Sequence, residues 1–235
     1  MLTIEQLKNE ENFYFSIVIS LTIALINVVI SVLIALSTNF EGNYTTTGYQ
    51  TSLAIKSIFA QLINSIFVPV LVNYILEDRN IYGKNGLSTD IIYLSIINSL
   101  LYPLVRIIDP KYRLYQIMAY YYKTSTIEKL QLKQSELNMK LELPVFEIGY
   151  EYIYFINLYL FTAFFVSLQP VIVIPAILGM LLGYWVIKYN LLNRLKRPVP
   201  GTDIISNAMG QFIGLGPIVY ELGNLMWSHF LQEHQ

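Results

Sequence analysis

Residues 13–36 read FYFSIVISLTIALINVVISVLIAL, with no charged side chain in the run. About 20 mostly apolar residues cross the hydrocarbon of a bilayer as a helix. This run is longer than that and sets lipid, rather than water, as the solvent of the fold. It is not an ordinary signal peptide. Residues 1–12 hold Glu5, Glu10 and Glu11 against Lys8, and the run is too long and lacks a small-residue cleavage site.

Outward from this stretch, further apolar runs occupy 52–76, 87–108, 152–168, 171–192 and 204–227. Lys56 interrupts the second, and Asp90 and Arg106 bound the third. The last is the weakest, with several glycines, Pro217 and Glu221. Backbone groups cannot stay unpaired in lipid, so these runs predict helices. The expected fold is all-α: a polytopic transmembrane bundle of about six spans. Residues 1–12 form an extracytosolic segment, 13–108 three spans, 109–151 a cytosolic connection, 152–227 three spans and 228–235 a tail. Within the long connection, 124–143 places Ile127, Leu130, Leu137 and Leu141 near helical spacing among Lys and Glu. That pattern predicts a cytosolic amphipathic helical segment. Gln169-Pro170 predicts a tight hairpin between the fourth and fifth spans.

Composition narrows the function. Only 13% of residues are charged, where soluble domains carry about 25%. The net charge of −1 lacks the basic footprint of a nucleic-acid binder. There is no cysteine, and the two histidines, His229 and His234, lie together near the C-terminus. Disulfides, thiolate metal sites and cysteine catalysis are excluded, and no cofactor is expected. No Gly-rich phosphate loop, His-Glu-x-x-His or nucleophile elbow occurs, so an enzyme is the poorest reading.

Basic residues orient the bundle. Six spans put Lys111, Arg113, Lys123, Lys129, Lys133, Lys140, Lys188, Arg194, Lys196 and Arg197 on one side, against Lys8, Arg79 and Lys84 on the other. Ten against three makes the first side cytosolic and turns both termini away from the cytosol. The protein is then an integral, multi-pass membrane protein whose constant partner is the lipid bilayer.

Polar residues in lipid are costly and turn toward protein or water. At 100° per residue they gather into stripes. Ser20, Asn27 and Ser31 share a face of the first helix, Gln61 and Asn64 of the second. Ser95, Asn98, Ser99, Tyr102 and Arg106 share a sector of the third, and Tyr154 and Asn157 line up on the fourth. These eleven hydroxyl and amide residues, all but Arg106, are the candidate lining of a hydrated pathway, where they would replace part of an ion's hydration shell. The competing explanation is packing, since Ser and Asn also bond membrane helices together. Arg106 and Lys56 read as side chains snorkelling to headgroups. Asp90 reads as a mouth charge attracting cations, or as a helix-start residue favoured by the dipole. Pro103, mid-helix, is a candidate hinge or a fixed kink.

Several stretches resemble a known family. Phe40-Glu41-Gly42, then 45–48, then a helix carrying Asn64, resembles a helix turn of the OSCA family of calcium-permeable stress-gated cation channels. Glu147 to Arg194 is similar over a longer stretch: an aromatic-rich start, the Ser167-to-Pro175 hairpin, and an apolar helix ending Tyr189-Asn190-Leu191. The 86–106 helix followed by 114–122 resembles the family's long gating helix. The resemblance covers 33–227, although Pro170 and Pro175 are one residue further apart than in the family hairpin. It implies a mechanosensitive or osmosensitive cation channel passing Ca2+, K+ or Na+. It also implies that this chain corresponds to the pore half. One pore helix and an RNA-recognition-like domain of the family would then lie ahead of Met1. Other membrane subunits, or that missing N-terminal half, are the expected partners. The family is related to the anoctamins, some of which scramble lipids, although their calcium-binding carboxylates have no counterpart here. A non-conducting structural subunit of a larger complex and a lipid scramblase are the alternative functions.

Overall fold

A computed structural model of the chain describes residues 4–75, 86–124, 133–196 and 203–233. Among these residues every regular element is helical: α1 (Ile4–Phe40), α2 (Thr46–Ile75), α3 (Leu87–Ile108), α4 (Pro110–Thr124), α5 (Gln134–Leu141), α6 (Ile148–Phe165), α7 (Val173–Asn193), α8 (Ile204–Gly214) and α9 (Gly216–Glu233). A single bridge joins Val145 to Lys196, outside any strand. The protein is an all-α helical bundle.

Local chemistry explains the element ends. α1 stops at a turn where Gly42 takes φ 65°, a left-handed conformation that costs glycine little. The Thr45 hydroxyl accepts the Gly48 N–H at 3.1 Å and caps the start of α2. Glu41 closes this turn, accepting from Ser52 at 3.0 Å and pairing with the Lys56 ammonium. Lys56, expected to snorkel, is therefore corrected to an ion-paired residue. α6 passes to α7 through one 3-10 turn, Pro170–Ile172, the tight hairpin that Gln169-Pro170 predicted.

The end of α3 is a break that hydropathy conceals. Asp109 adopts φ 45° and its N–H reaches Val105 O at 2.9 Å. Its carboxylate then accepts the Tyr112 N–H at 3.2 Å, and Pro110 follows it. One residue thus closes α3 and N-caps α4, with proline at the first helical position as caps favour.

Four helical stretches are long and apolar enough to cross a membrane: Ser20–Phe40, Thr46–Leu71, Leu87–Tyr122 and Pro170–Asn193. The other two expected spans differ. α6 carries Glu151 and four tyrosines and is the most enclosed helix, with Phe161, Phe165 and Leu160 almost fully buried. The sixth expected span is corrected to two helices, α8 and α9, interrupted at Leu215 between two glycines. Of the expected amphipathic segment, Ile127 and Leu130 lie outside the described residues. Leu137 and Leu141 fall in the short helix α5. The loop after α2, the link between α7 and α8, and the ends of the chain also lie outside them.

α6 sits at the centre, touching α2, α3, α7, α8 and α9. At its far end Phe161, Phe164 and Phe165 pack with Ile23, Ile91 and Trp227. On its α2 side Ile153, Ile156 and Leu160 meet Leu53, Ile58 and Met209. Small residues let backbones approach. A Cβ on Gly179 would stand 2.7 Å from Ser99 O, and one on Gly223 2.2 Å from Phe164 O.

Candidate functional site

α1, α2, α3 and α6 enclose a cavity of about 230 Å³. Its polar lining comes from Asn27 and Ser31 on α1, Gln61 and Ser65 on α2, Asn98 and Tyr102 on α3, and Tyr150, Tyr154 and Asn157 on α6. Every lining side chain is uncharged. Three lining residues are exposed, Val28 on α1 and Leu101 and Val105 on α3. The open side therefore lies between α1 and α3.

The back wall is a chain of side-chain hydrogen bonds. Asn157 Nδ2 donates to Gln61 Oε1 at 2.7 Å, and Gln61 Nε2 donates to Ser31 Oγ at 2.6 Å. Ser31 Oγ donates to Asn27 O at 2.9 Å. Asn27 Nδ2 donates to Ser65 Oγ at 3.1 Å, while Asn64 Nδ2 donates to Asn27 Oδ1 at 2.9 Å. One hydrogen of each of the Asn27, Gln61 and Asn157 amides is used within the wall, and Asn157 Oδ1 is buried without a hydrogen-bond partner.

Seven of the residues expected from the stripes line this cavity: Asn27, Ser31, Gln61, Asn98, Tyr102, Tyr154 and Asn157. Four do not. Ser20 is buried against α3 and reaches Asp90 O at 3.5 Å. Asn64 stands behind Asn27. Ser95 bonds Ile172 O at 3.3 Å, and Ser99 bonds Ser95 O at 2.6 Å. Ser20, Asn64 and Ser95 bond one element to another, whereas Ser99 bonds back within α3. Tyr154 lines the cavity and also bonds between helices: its hydroxyl lies 2.8 Å from Ser99 O and 2.9 Å from Gly179 O. Pro103 has no N–H to give Ser99 O, its i−4 carbonyl. Tyr154 takes up the carbonyl that the proline frees.

Arg106 is corrected. It does not reach for headgroups but pairs with Glu151, which also accepts from the Tyr102 hydroxyl. Its Nε donates to Tyr102 Oη at 3.0 Å. The Glu151 side chain is 8% exposed and that of Arg106 21%. Asn190 and Arg194 of α7 brace the same end of α3 through Arg106 O and Ile107 O, at 2.8 and 2.6 Å. Of the two readings of Asp90, its place agrees with the helix-start one: it is buried in the first turn of α3, where the helix dipole favours a carboxylate. Glu151 is the residue that sequence reasoning missed. The signal was available: an acidic side chain one turn before the stripe tyrosine Tyr154.

This arrangement, apolar helices around an uncharged and mostly apolar groove with polar groups in its wall, suits a channel- or scramblase-like integral membrane protein. A sequence profile described as anoctamin, calcium-activated chloride channel, matches residues 2–207. The chain belongs to the anoctamin family. No curated protein and no solved structure matches it.

The family description implies calcium. The described carboxylates do not fit that ion: Glu151 is engaged by Arg106 and Tyr102 and Glu41 by Lys56 and Ser52. Among the described residues no three acidic or histidine side chains gather around one point.

Proposed function

We propose that the groove between α1, α2, α3 and α6 is a tension-sensitive path for cations, resembling the pore half of a mechanosensitive or osmosensitive cation channel. The observation that carries this reading is the cavity itself, mostly apolar and without charge, with amides and hydroxyls from four helices in its wall. Amide and hydroxyl oxygens substitute for water around a cation. In this reading Ca2+, K+ or Na+ passes along Asn27, Ser31, Gln61, Asn98 and Asn157. Membrane tension favours a state in which α1 and α3 stand further apart, because a stimulus shifts populations only by its differential energy and that state covers more membrane area. Pro103 is the point about which α3 would bend. Further membrane subunits complete the open side.

That open side favours a second reading. A groove with polar groups in its wall, open between α1 and α3, also suits passage of a headgroup with its acyl chains left in the bilayer.

Reconstitution of the full chain separates them. Patch recordings under applied pressure read the current, and dithionite bleaching of fluorescent lipid reads scrambling. Asn98 lines the cavity from α3, and Asn98→Leu removes a lumen amide. A pressure-dependent cation current, reduced about tenfold by Asn98→Leu for a loss of about 1.4 kcal/mol, is the expected result. Scrambling without current would favour the second reading, and silence in both assays would defeat both.

A further inference from the structure

We propose that α4 is an interfacial anchor whose occupant is anionic lipid: it lies in the headgroup layer on the side of the membrane where α3 ends. The proposal needs the chain to span a bilayer but not to conduct, so it stands or falls separately from the groove.

The first observation is the exposed face of α4. Leu114, Ile117, Met118 and Tyr121 follow the i, i+3, i+4, i+7 pattern of one helical stripe. All four are exposed, Ile117 at 66%. The opposite face is already in use: Tyr115 Oη donates to Leu141 O at 2.7 Å, and Ala119 is buried. The free apolar stripe therefore points away from the rest of the described chain.

The second observation is depth. α4 begins at Pro110, two residues beyond the last residue of the membrane-crossing helix α3. At the same level α7 turns outward Tyr184, Trp185 and Tyr189, all exposed, with the Lys188 ammonium 5.3 Å from the Trp185 ring centre. Aromatic and basic side chains of this kind mark the boundary between hydrocarbon and water. Arg194 ties the two helices at that level. Its guanidinium donates to Ile107 O and stacks on Tyr189 and on Tyr112 of α4, at 5.1 and 5.6 Å.

The third observation is charge. Lys111 and Arg113 flank the stripe on either side, at 60° and 100° of helical arc from Leu114 by the 100° rule. Both side chains are exposed. A helix with an apolar stripe and basic flanks lies in the plane of the interface and prefers anionic headgroups.

The chain has no cysteine, so single labels are clean. Leu114→Cys, Ile117→Cys and Gln116→Cys carry an environment-sensitive fluorophore in full-length protein, reconstituted into phosphatidylcholine vesicles with one third phosphatidylserine. Gln116 points away from the stripe and is exposed. Labels at 114 and 117 should be quenched by brominated lipid and shielded from iodide, with the reverse at 116. Quenching by iodide at 114 and 117 would overturn the proposal. So would shielding from both quenchers, the mark of a protein partner or second copy. Brominated phosphatidylserine should quench the 117 label more than brominated phosphatidylcholine. In Lys111→Gln/Arg113→Gln that preference should fall, by about fivefold per charge removed. Equal quenching by the two lipids in the unsubstituted protein would overturn the assignment of anionic lipid.

Discussion

Arg106 carries a full charge at the edge of the groove, and its partner decides its cost. A charge left alone in a low-dielectric interior is expensive, whereas a paired one is tolerated. Glu151→Ala removes the partner and strands the guanidinium beside Tyr102. The expected loss is about 3 kcal/mol, read as a lower unfolding temperature in detergent. Arg106→Met combined with Glu151→Leu should recover most of it, because an apolar pair of similar volume needs no compensation. The stripe rule found Arg106 and Tyr102 on one face of α3. It missed Glu151 because the pairing joins residues far apart in sequence. The expected fourth span also began just after Glu151 and left it in the loop. Periodicity reports which way a side chain faces on its own helix and nothing about what waits opposite.

The helices themselves were more legible. α3 runs over the same residues, Leu87–Ile108, that its hydropathy predicted, because Gly86 and Asp109, both visible in the sequence, bound the helix. The extent of α4 was less so, since 110–122 is apolar enough to read on from α3. Close packing was not legible at all, and glycines show why. Gly179 and Gly210 both sit inside helices, in α7 and α8, yet only Gly179 faces a neighbour's backbone. Gly179→Ala should push α7 away from Ser99 and lower thermal stability. Gly210→Ala meets nothing within 4 Å and should raise stability by about 0.5–1 kcal/mol through helix propensity. Paired melting curves check both signs.

At the scale of the molecule, α2 and α6 run in the same direction, as Gly149 beside Gln50 and Asn157 bonded to Gln61 require. The α1–α2 turn and the α6–α7 turn therefore lie at opposite ends of the bundle. From the excess of basic residues we propose that the α1–α2 end is cytosolic. Tyr44→Cys and Pro170→Cys test this in the cysteine-free chain. In intact cells a membrane-impermeant maleimide should modify the cysteine at 170 and spare the one at 44, read as a gel shift. The reverse labelling would invert the orientation of the whole bundle. The cavity shows how far patterns of side chains carry. Four stripes converge on it because polar groups in lipid must face one another. Hydropathy cannot say which members line space and which fill it, and Ser95 and Ser99 turned out to fill it.

Asp109 ends α3 and begins α4, so two rods meet in the dihedral angles of one residue. At about 1.5 Å per residue, the 15 residues of α4 make an arm about 22 Å long. A turn of about 10° at that joint sweeps the far tip through about 4 Å. An arm of that length magnifies any small turn at the joint, and Arg194 ties the arm close to its pivot.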